Sequence, residues 1–149
     1  LLAHGATVTD EVVCAAAWKT RECDCLMQVL SHGGNPKAII GGWGAVHWAS
    51  RASTDDLRLL IEAGADVDMP SPARAGDRPL HFAAGDAVRI GGKERPDLCL
   101  EITRTLLAAG ADPRKTNENS ETPLDVALRS ERQDLVALLR EEMFSTPEV

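Results

Sequence analysis

Residues 78–84 read RPLHFAA, and two related stretches lie on either side of them, GAVHWAS at 44–50 and TPLDVAL at 122–128. The first two copies along the chain are each followed by a second motif, IEAGADV at 61–67 and LAAGADP at 107–113. A pair of motifs that returns at a regular interval indicates a protein built from stacked repeats. The architecture of this chain therefore follows from its internal repetition.

Weaker copies of both motifs lie upstream, namely EVVCAAA at 11–17, LSHGGNP at 30–36 and LLAHGAT at 1–7. The fourth position of the first motif falls at Cys14, His47, His81 and Asp125, with gaps of 33, 34 and 44 residues. The longer gap arises within the third repeat, where GDAVRIGGKERPD at 85–97 is inserted between the two motifs. Elsewhere the period stays close to 33 residues.

This pattern resembles the ankyrin repeat, which has about 33 residues and a T-P-L-H-x-A signature. RPLHFAA matches the signature closely, and TPLDVAL keeps its threonine, proline and leucine. The resemblance covers residues 1–142 and implies an all-α fold in which each unit is a helix, a turn, a second helix and a short β-hairpin-like link. About four such units would stack into an ankyrin-type solenoid.

The repeats divide one expected domain, residues 1–149. Its parts are a partial repeat at 1–6, repeats at about 7–37, 38–70, 71–115 and 116–142, the insertion 85–97 within the third repeat, and a tail at 143–149. The link from Gly5 to Cys14 is only 9 residues long, so we expect a shortened turn there. Because the chain begins in mid-repeat, we also expect that residue 1 is not the natural start, or that something covers this end.

Local residue chemistry agrees with a helix-pair repeat. Apolar residues recur at helical spacing in the second helix of each unit, as at Leu57, Leu60 and Ile61. Glycines follow three of these stripes, at Gly33, Gly64 and Gly110, where a left-handed C-terminal cap is favoured. Thr122 and Pro123 are typical of a helix start.

Composition indicates which kinds of partner and location suit the chain. The chain has 149 residues and a net charge of −7, which does not favour a nucleic-acid partner. No apolar run approaches the roughly 18 residues of a membrane span, so we expect no membrane insertion. Reduced cysteines would fit an intracellular protein, cytoplasmic with the nucleus as an alternative.

The cysteines and histidines raise the question of a metal or catalytic site. Cys23 and Cys25 form C-x-C, but zinc sites usually present C-x2–4-C with a second ligand pair, so we expect buried structural thiols instead. The resemblance implies that His47 and His81 hydrogen-bond to the backbone of a neighbouring turn. The glycines at 41–44 lack the lysine and hydroxyl of a phosphate loop. We therefore expect no catalytic, cofactor-binding or metal-binding residue, no cofactor and no small-molecule substrate.

The resemblance places partner contacts on the concave side of the solenoid, formed by the links and the exposed flank of each first helix. Carried onto this sequence, the predicted partner-binding residues are Trp18, Ile40, Trp43, Arg51, Arg74, Asp77, Glu121 and Arg129. Exposed tryptophan and arginine are enriched at binding hot spots. The alternative is that Trp18 and Trp43 fold back onto adjacent repeats. Trp48 lies inside the motif, so we expect it to pack between repeats.

The sequence therefore predicts a non-enzymatic protein–protein interaction module. A second hypothesis is a structural segment of a longer solenoid, or a subunit of a large assembly. A third, an enzyme that uses Cys23 and Cys25 with a metal, is the least supported. The insertion at 85–97 is either a functional loop or a passive one, since long surface loops cost little.

Overall fold

A computed structural model describes residues 7–18, 25–85, 89–90 and 93–145. Within these ranges the chain forms eight α-helices and two short hairpins. The helices are α1 (Asp10–Trp18), α2 (Cys25–Ser31), α3 (Ala45–Ala49), α4 (Thr54–Glu62), α5 (Pro79–Gly85), α6 (Pro96–Ala108), α7 (Pro123–Arg129) and α8 (Gln133–Ser145). The strands are β1 (Ile39–Ile40), β2 (Trp43–Gly44), β3 (Arg89–Ile90) and β4 (Lys93–Glu94).

The helices form two layers. In one layer α1, α3, α5 and α7 contact each other in chain order, and in the other α2, α4, α6 and α8 do the same. Each first helix also packs against the second helix of its own repeat. The second helices contribute the fully buried side chains Leu26, Leu57, Leu60, Ile102, Leu106, Leu135 and Leu139. The predicted all-α solenoid of stacked helix pairs is confirmed.

Helix ends follow the capping chemistry of the sequence. Gly33, Gly64 and Gly110 have φ values of 88°, 98° and 94°, so each occupies the left-handed conformation that ends a helix. Thr122 caps α7, because its hydroxyl accepts a hydrogen bond from the backbone N–H of Asp125. The Asp125 carboxylate accepts the Thr122 N–H at 2.8 Å and the Thr122 hydroxyl at 2.7 Å, and these two bonds lower the pKa of that carboxyl.

The first link between helix pairs is the β1–β2 hairpin. Ile40 pairs with Trp43 across Gly41 and Gly42, whose φ values of 59° and 81° suit a two-residue hairpin turn. A Cβ on Gly42 would lie 2.8 Å from the Cβ of Ala73 in the next link. Glycine at this position therefore both makes the turn and lets the second link pack against the first.

The later links stack in the same way. Ser71 donates its backbone N–H to the carbonyl of Asp77 at 2.8 Å, which closes the second link. The backbone N–H of Glu118 then donates to the carbonyl of Ala75, also at 2.8 Å. The three links therefore form a continuous row beside the first-helix layer.

The two motif histidines, His47 in α3 and His81 in α5, each connect their helix to a later link by a hydrogen bond. Nε2 of His47 lies 2.8 Å from the carbonyl oxygen of Met69, while its Nδ1 accepts the N–H of Gly44 at 3.0 Å. His81 reaches the carbonyl of Glu121 at 2.9 Å. Since a carbonyl can only accept, Nε2 carries the proton and the imidazoles are neutral donors. The structural role implied for both histidines is confirmed.

The thiols do not all behave as expected. Cys14 and Cys99 are buried, and Cys14 lies 3.7 Å from the carbonyl oxygen of Ala38. Burial raises the pKa of the Cys14 thiol to about 11. The expectation for Cys25 is wrong, because this residue is exposed at the first position of α2, one turn before the buried Val29. Cys23 lies outside the described residues.

The described part of the insertion contains a strand pair. β3 and β4 pair antiparallel, with Ile90 opposite Lys93. Pro96 and Asp97, which the sequence analysis assigns to the insertion, lie in the first turn of α6. Proline is compatible with that position because the first N–H of a helix has no partner within it. The expected short turn after Gly5 lies largely outside the described residues.

Stability should fall as the pH is lowered towards 4. Burial lowers the pKa of His47 from 6.5 to about 4, and it also lowers the pKa of His81. Between pH 6.5 and pH 4 the histidines of the unfolded chain bind protons that the folded chain does not bind. The contribution of the neutral histidines to the unfolding free energy is therefore complete above about pH 6.5 and is lost as the pH falls. We expect His47 alone to cost roughly 2 kcal/mol of unfolding free energy at pH 5.

Urea unfolding at pH 7.5 and pH 5, at the same ionic strength, measures this difference. His47→Gln lowers stability at both pH values but removes part of the pH dependence. His81→Gln should act in the same direction. An unchanged pH dependence in both variants would show that other groups control acid unfolding.

Close packing of α5 on α7 should make Gly85 intolerant of a side chain. A Cβ on Gly85 would lie 2.7 Å from Cγ1 of Val126. We expect Gly85→Ala to cost about 1–3 kcal/mol of unfolding free energy. The double variant with Val126→Ala relieves the contact, so it should cost less than the sum of the two single changes. Strict additivity in urea unfolding would contradict this contact.

Candidate functional site

Four aromatic rings from three repeats form a connected group, which we call the aromatic cluster: Trp18, Trp43, Trp48 and Phe82. Trp18 meets Trp48 edge-on, with ring centroids 4.7 Å apart and planes at 78°. Trp43 stacks on Trp48 at 4.7 Å and 22°, and it meets Phe82 at 4.8 Å and 63°. Such pairs contribute about 0.5–1.5 kcal/mol each beyond area burial. The cluster therefore joins the first three repeats.

The cluster runs from the surface into the core. Trp18, the last residue of α1, is 52% exposed, whereas Phe82 in α5 is 1% exposed. Trp43 and Trp48 lie between these limits and are partly accessible. Beside Trp43 on the hairpin, Ile40 is 39% exposed. The accessible tryptophan rings thus rest on the other rings of the cluster, and this packing keeps them in a fixed position.

The positions of these rings follow from the repeat. Trp48 and Phe82 each follow a motif histidine, so the same helical position of α3 and α5 presents an aromatic ring. Trp43 comes from β2, just before α3 begins, and the hairpin holds it over that helix. Trp18 ends α1 at the position equivalent to Arg51 in the next repeat.

Two guanidinium groups lie over this cluster. The Cζ of Arg51 is 5.6 Å from the ring centroid of Trp43, and that of Arg74 is 5.8 Å from the same ring. Arg74 also lies 5.2 Å from the Phe82 centroid. Cation–π contacts within about 6 Å contribute roughly 0.5–1 kcal/mol at exposed sites. The apolar surface is therefore bordered by positive charge.

The acidic residues of the surface form a second group, centred on Asn117. Nδ2 of Asn117 donates to Oδ1 of Asp77 at 2.8 Å and to Oε2 of Glu121 at 3.1 Å. Arg129 donates to the other carboxylate oxygen of Glu121. In addition, Nε of Arg74 lies 3.8 Å from Oδ2 of Asp77. These carboxylates are therefore engaged by donors of the chain itself.

The structure sorts the eight predicted residues by contact. The aromatic cluster and its border contain Trp18, Ile40, Trp43, Arg51 and Arg74. The Asn117 network contains Asp77, Glu121 and Arg129. Arg74 connects the two groups through its ion pair with Asp77. Trp18 and Trp43 pack on rings of adjacent repeats, as the second alternative expects, and both keep accessible surface; contact with a partner stays a prediction.

Two residues of this site, the buried Phe82 and the part-buried Asn117, are not among the predicted ones. The signal for Phe82 is an aromatic residue directly after the histidine in two consecutive repeats, which indicates ring packing between the repeats. Asn117 was not selected because its partners come from the second link and from the end of its own turn. Trp48 packs against Trp18 of the preceding repeat, in agreement with its predicted place between repeats.

A shallow groove with a volume of about 380 Å³ lies between α6 and α8 in the opposite layer. Leu107, Ala108 and Leu138 line it together with the charged residues Arg104, Glu141 and Glu142. Across the described ranges, no group of three or more His, Cys, Asp or Glu side chains is placed to hold a metal ion. The described helices are all too short or too polar to cross a bilayer.

Comparison with known proteins agrees with this geometry. A family model described as ankyrin repeats matches residues 98–140, within the span of α6 to α8. Over these residues the chain matches the ankyrin repeats. This module is a general means of protein–protein interaction, and the match confirms the family resemblance of the sequence.

Relatives carry the same repeats within longer proteins. An ankyrin repeat-containing protein of Saccharomyces cerevisiae is 38% identical over 85 residues, which cover 57% of this chain and 40% of the yeast protein. Ankyrin repeat and SOCS box protein 6 of Homo sapiens is 40% identical over 68 residues, 41% of this chain and 15% of the relative. The Pongo abelii protein of the same name gives the same values. The chain thus spans well under two thirds of the length of these relatives.

The geometry predicts unequal roles for two tryptophans in stability. Trp43→Ala removes a ring held between Trp48 and Phe82, so we expect a loss of about 2–3 kcal/mol of unfolding free energy. Trp18→Ala removes a half-exposed ring and should cost less than about 1 kcal/mol. Urea unfolding monitored by circular dichroism compares them. Equal losses would contradict the graded burial of the cluster.

Proposed function

We propose that this chain is a non-catalytic ankyrin module that binds a partner protein through its concave surface, with the aromatic cluster at the centre of the contact. The observation that carries the proposal is the half-exposed Trp18, which is supported by stacked rings, with Arg51 and Arg74 over the Trp43 ring of the same cluster. Tryptophan and arginine are the residue types that most often dominate binding energy.

Rigidity supports this assignment. A ring that is already held by its neighbours loses little side-chain entropy on binding, so more of the interaction energy appears as affinity. Trp43 and Trp48 hold each other by stacking, and the Trp18 ring rests edge-on against Trp48. Ile39 and Ile40 add accessible apolar surface on the adjoining hairpin, at 43% and 39% exposure. Together they form the pre-organised apolar centre that a protein interface requires.

The remaining parts of the proposal rest on composition and family. The net charge of −7 favours a protein over a nucleic acid as partner. Buried thiols at Cys14 and Cys99 act as core residues, which is compatible with an intracellular location, cytoplasmic or nuclear. Ankyrin repeats serve generally as interaction modules. We infer the non-catalytic role of this chain by analogy with that general role.

Site-specific cross-linking tests the proposed surface. A photo-reactive phenylalanine analogue replaces Trp18 in one variant and Met27 in another, since Met27 is 47% exposed on α2 in the opposite layer. We expect a partner from the native source to be captured through position 18 and not through position 27. Binding of that partner should weaken on the order of tenfold or more in Trp18→Ala, as hot-spot truncation predicts.

The result can also go against the proposal. Capture through position 27 alone would place the contact on the second-helix layer. A captured partner whose affinity is the same for wild type and Trp18→Ala would mean that the aromatic cluster is not the centre of the contact. Unfolding midpoints of both cross-linker variants, compared with wild type, separate loss of binding from loss of fold.

A structural role within a larger assembly is the second candidate. Leu128 and Phe144, on the last described helix pair, are 42% and 82% exposed, and apolar side chains of this kind are suited to contact with another repeat or subunit. Sedimentation of the chain over a range of concentrations tests this role. Self-association that Phe144→Ser abolishes and Trp18→Ala leaves unchanged would favour it over the concave-surface proposal.

A further inference from the structure

We propose that the partner binds the concave surface through an aromatic side chain, which packs against a face of the Trp18 ring and so adds one more ring to the aromatic cluster. This inference rests on the proposed function and specifies its ligand chemistry. Ala15, three residues before Trp18 on α1, is the residue that leaves space for the incoming ring. The way in which the rings of the cluster cover one another points to this ligand.

The aromatic cluster is a row of rings with Trp18 at one end. Phe82 contacts Trp43, and Trp43 stacks on Trp48. Trp48 in turn contacts Trp18, and within the described ranges it is the single ring neighbour of Trp18. The parts of the sequence outside those ranges contain no Phe, Tyr or Trp. The row can therefore be extended by another ring at its Trp18 end.

The exposed surface of Trp18 includes part of a ring face. Its plane lies at 78° to that of Trp48, and in such an edge-to-face pair one neighbour covers at most one of the two faces of a ring. Trp18 is 52% exposed, so surface that Trp48 leaves uncovered is in contact with solvent. A ligand ring can pack there in an offset-stacked or edge-to-face arrangement, which stabilises a contact beyond the area that it buries.

The faces of Trp43 are less suited to accept a ligand ring. Trp43 stacks on Trp48, with the two planes at 22°. The guanidinium groups of Arg51 and Arg74 also lie over the Trp43 ring, 5.6 Å and 5.8 Å from its centroid. Contacts of the chain itself therefore already occupy this ring, and Trp18 is the member of the cluster best placed to take up a new one.

Ala15 leaves space beside the Trp18 ring. It holds the position of the first motif at which the next two copies place Trp48 and Phe82. Residues three apart on a helix are neighbours on its surface, and long side chains lean towards the helix N-terminus. Trp18 therefore lies beside Ala15, which is itself exposed. A ligand ring can rest on Trp18 above the methyl group of Ala15, where a larger side chain would exclude it.

Apolar surface continues from α1 to the first hairpin. β1 packs against α1, and its residues Ile39 and Ile40 are 43% and 39% exposed. A partner segment anchored at Trp18 would thus find further apolar contacts beside α1. A large aromatic anchor with apolar surroundings that exclude water is typical of binding hot spots.

Selection from a library of random short peptides displayed on phage tests the ligand chemistry without a known partner. The full chain is immobilised, and we expect an aromatic residue to recur at one position of the retained peptides. A retained peptide with phenylalanine at this position is compared by calorimetry with a copy that carries cyclohexylalanine instead. Cyclohexylalanine keeps the apolar bulk but lacks the π system, so the copy should bind about two- to tenfold more weakly.

Substitution of Trp18 provides the matching change on the protein. Trp18→Phe keeps an aromatic face and should weaken the phenylalanine peptide less than about fivefold, whereas Trp18→Leu should weaken it about tenfold or more. In Trp18→Leu the difference between the two peptides should disappear, because the pairwise ring contact is absent. A merely apolar contact would leave that difference unchanged.

Substitution of Ala15 tests the space beside the ring. Ala15→Leu places a larger side chain there and should weaken the phenylalanine peptide about tenfold, as a steric clash with the ligand predicts. The matched control is Ala137→Leu, the same change at an exposed position of α8 in the other layer. It should change affinity less than about twofold, since surface changes away from a contact have small effects. Alanine and leucine have similar helix propensity, and unfolding midpoints verify that both variants are folded.

The contrary outcomes separate the ligand chemistry from the proposed surface. Retained peptides that need Trp18 but carry aliphatic residues or proline in place of an aromatic residue would reject the aromatic ligand and keep the concave surface. Equal affinity of the cyclohexylalanine copy would do the same. Equal effects of Ala15→Leu and Ala137→Leu would reject the packing of the ligand ring above Ala15. Peptides that bind equally to wild type and Trp18→Leu, or no enrichment at all, would reject both the ligand chemistry and the proposed surface.

Discussion

The hydrogen bonds from His47 and His81 to backbone carbonyls hold this solenoid in register. Each imidazole spans from the first turn of a first helix to a later link, reaching Met69 in one case and Glu121 in the other. A helix pair alone buries one face and would be free to slide against its neighbour. The histidines set the distance between the helix layer and the links. The positions of Trp43 on one link and Asp77 on the next are consequences of that spacing.

Periodicity in the sequence was sufficient to predict this framework, because the residues involved act through the repeat itself. The hydrogen bond of His47, the helix end at Gly64 and the helix cap at Thr122 are each determined by the position of the residue in the repeat. Cys25 shows the limit of prediction from periodicity. An apolar stripe predicts a helical face to within one position, and a residue at the start of α2 can leave that face by a small rotation.

The candidate surface was less predictable because it depends on contacts between repeats. Alignment of the copies selected Trp18 and Trp43 as departures from the pattern, and it could not show that Trp48 would hold both of them. The role of Asn117 also requires coordinates, because its amide joins carboxylates on two different links. Side-chain identity in a repeat thus gives candidates, and neighbouring repeats determine which of them share a surface.

Asp125 takes the place of the histidine in the last motif, and its carboxylate folds back onto Thr122. The bond by which His47 and His81 each reach a later link is here replaced by a local helix cap. The last repeat is still joined to the third by the hydrogen bonds from His81 to Glu121 and from Glu118 to Ala75, so the Asp125 cap stabilises the start of α7 and adds nothing to the contact between repeats. Loss of the Asp125 carboxylate should therefore weaken α7 locally and leave the hydrogen bonds between the third and fourth repeats in place.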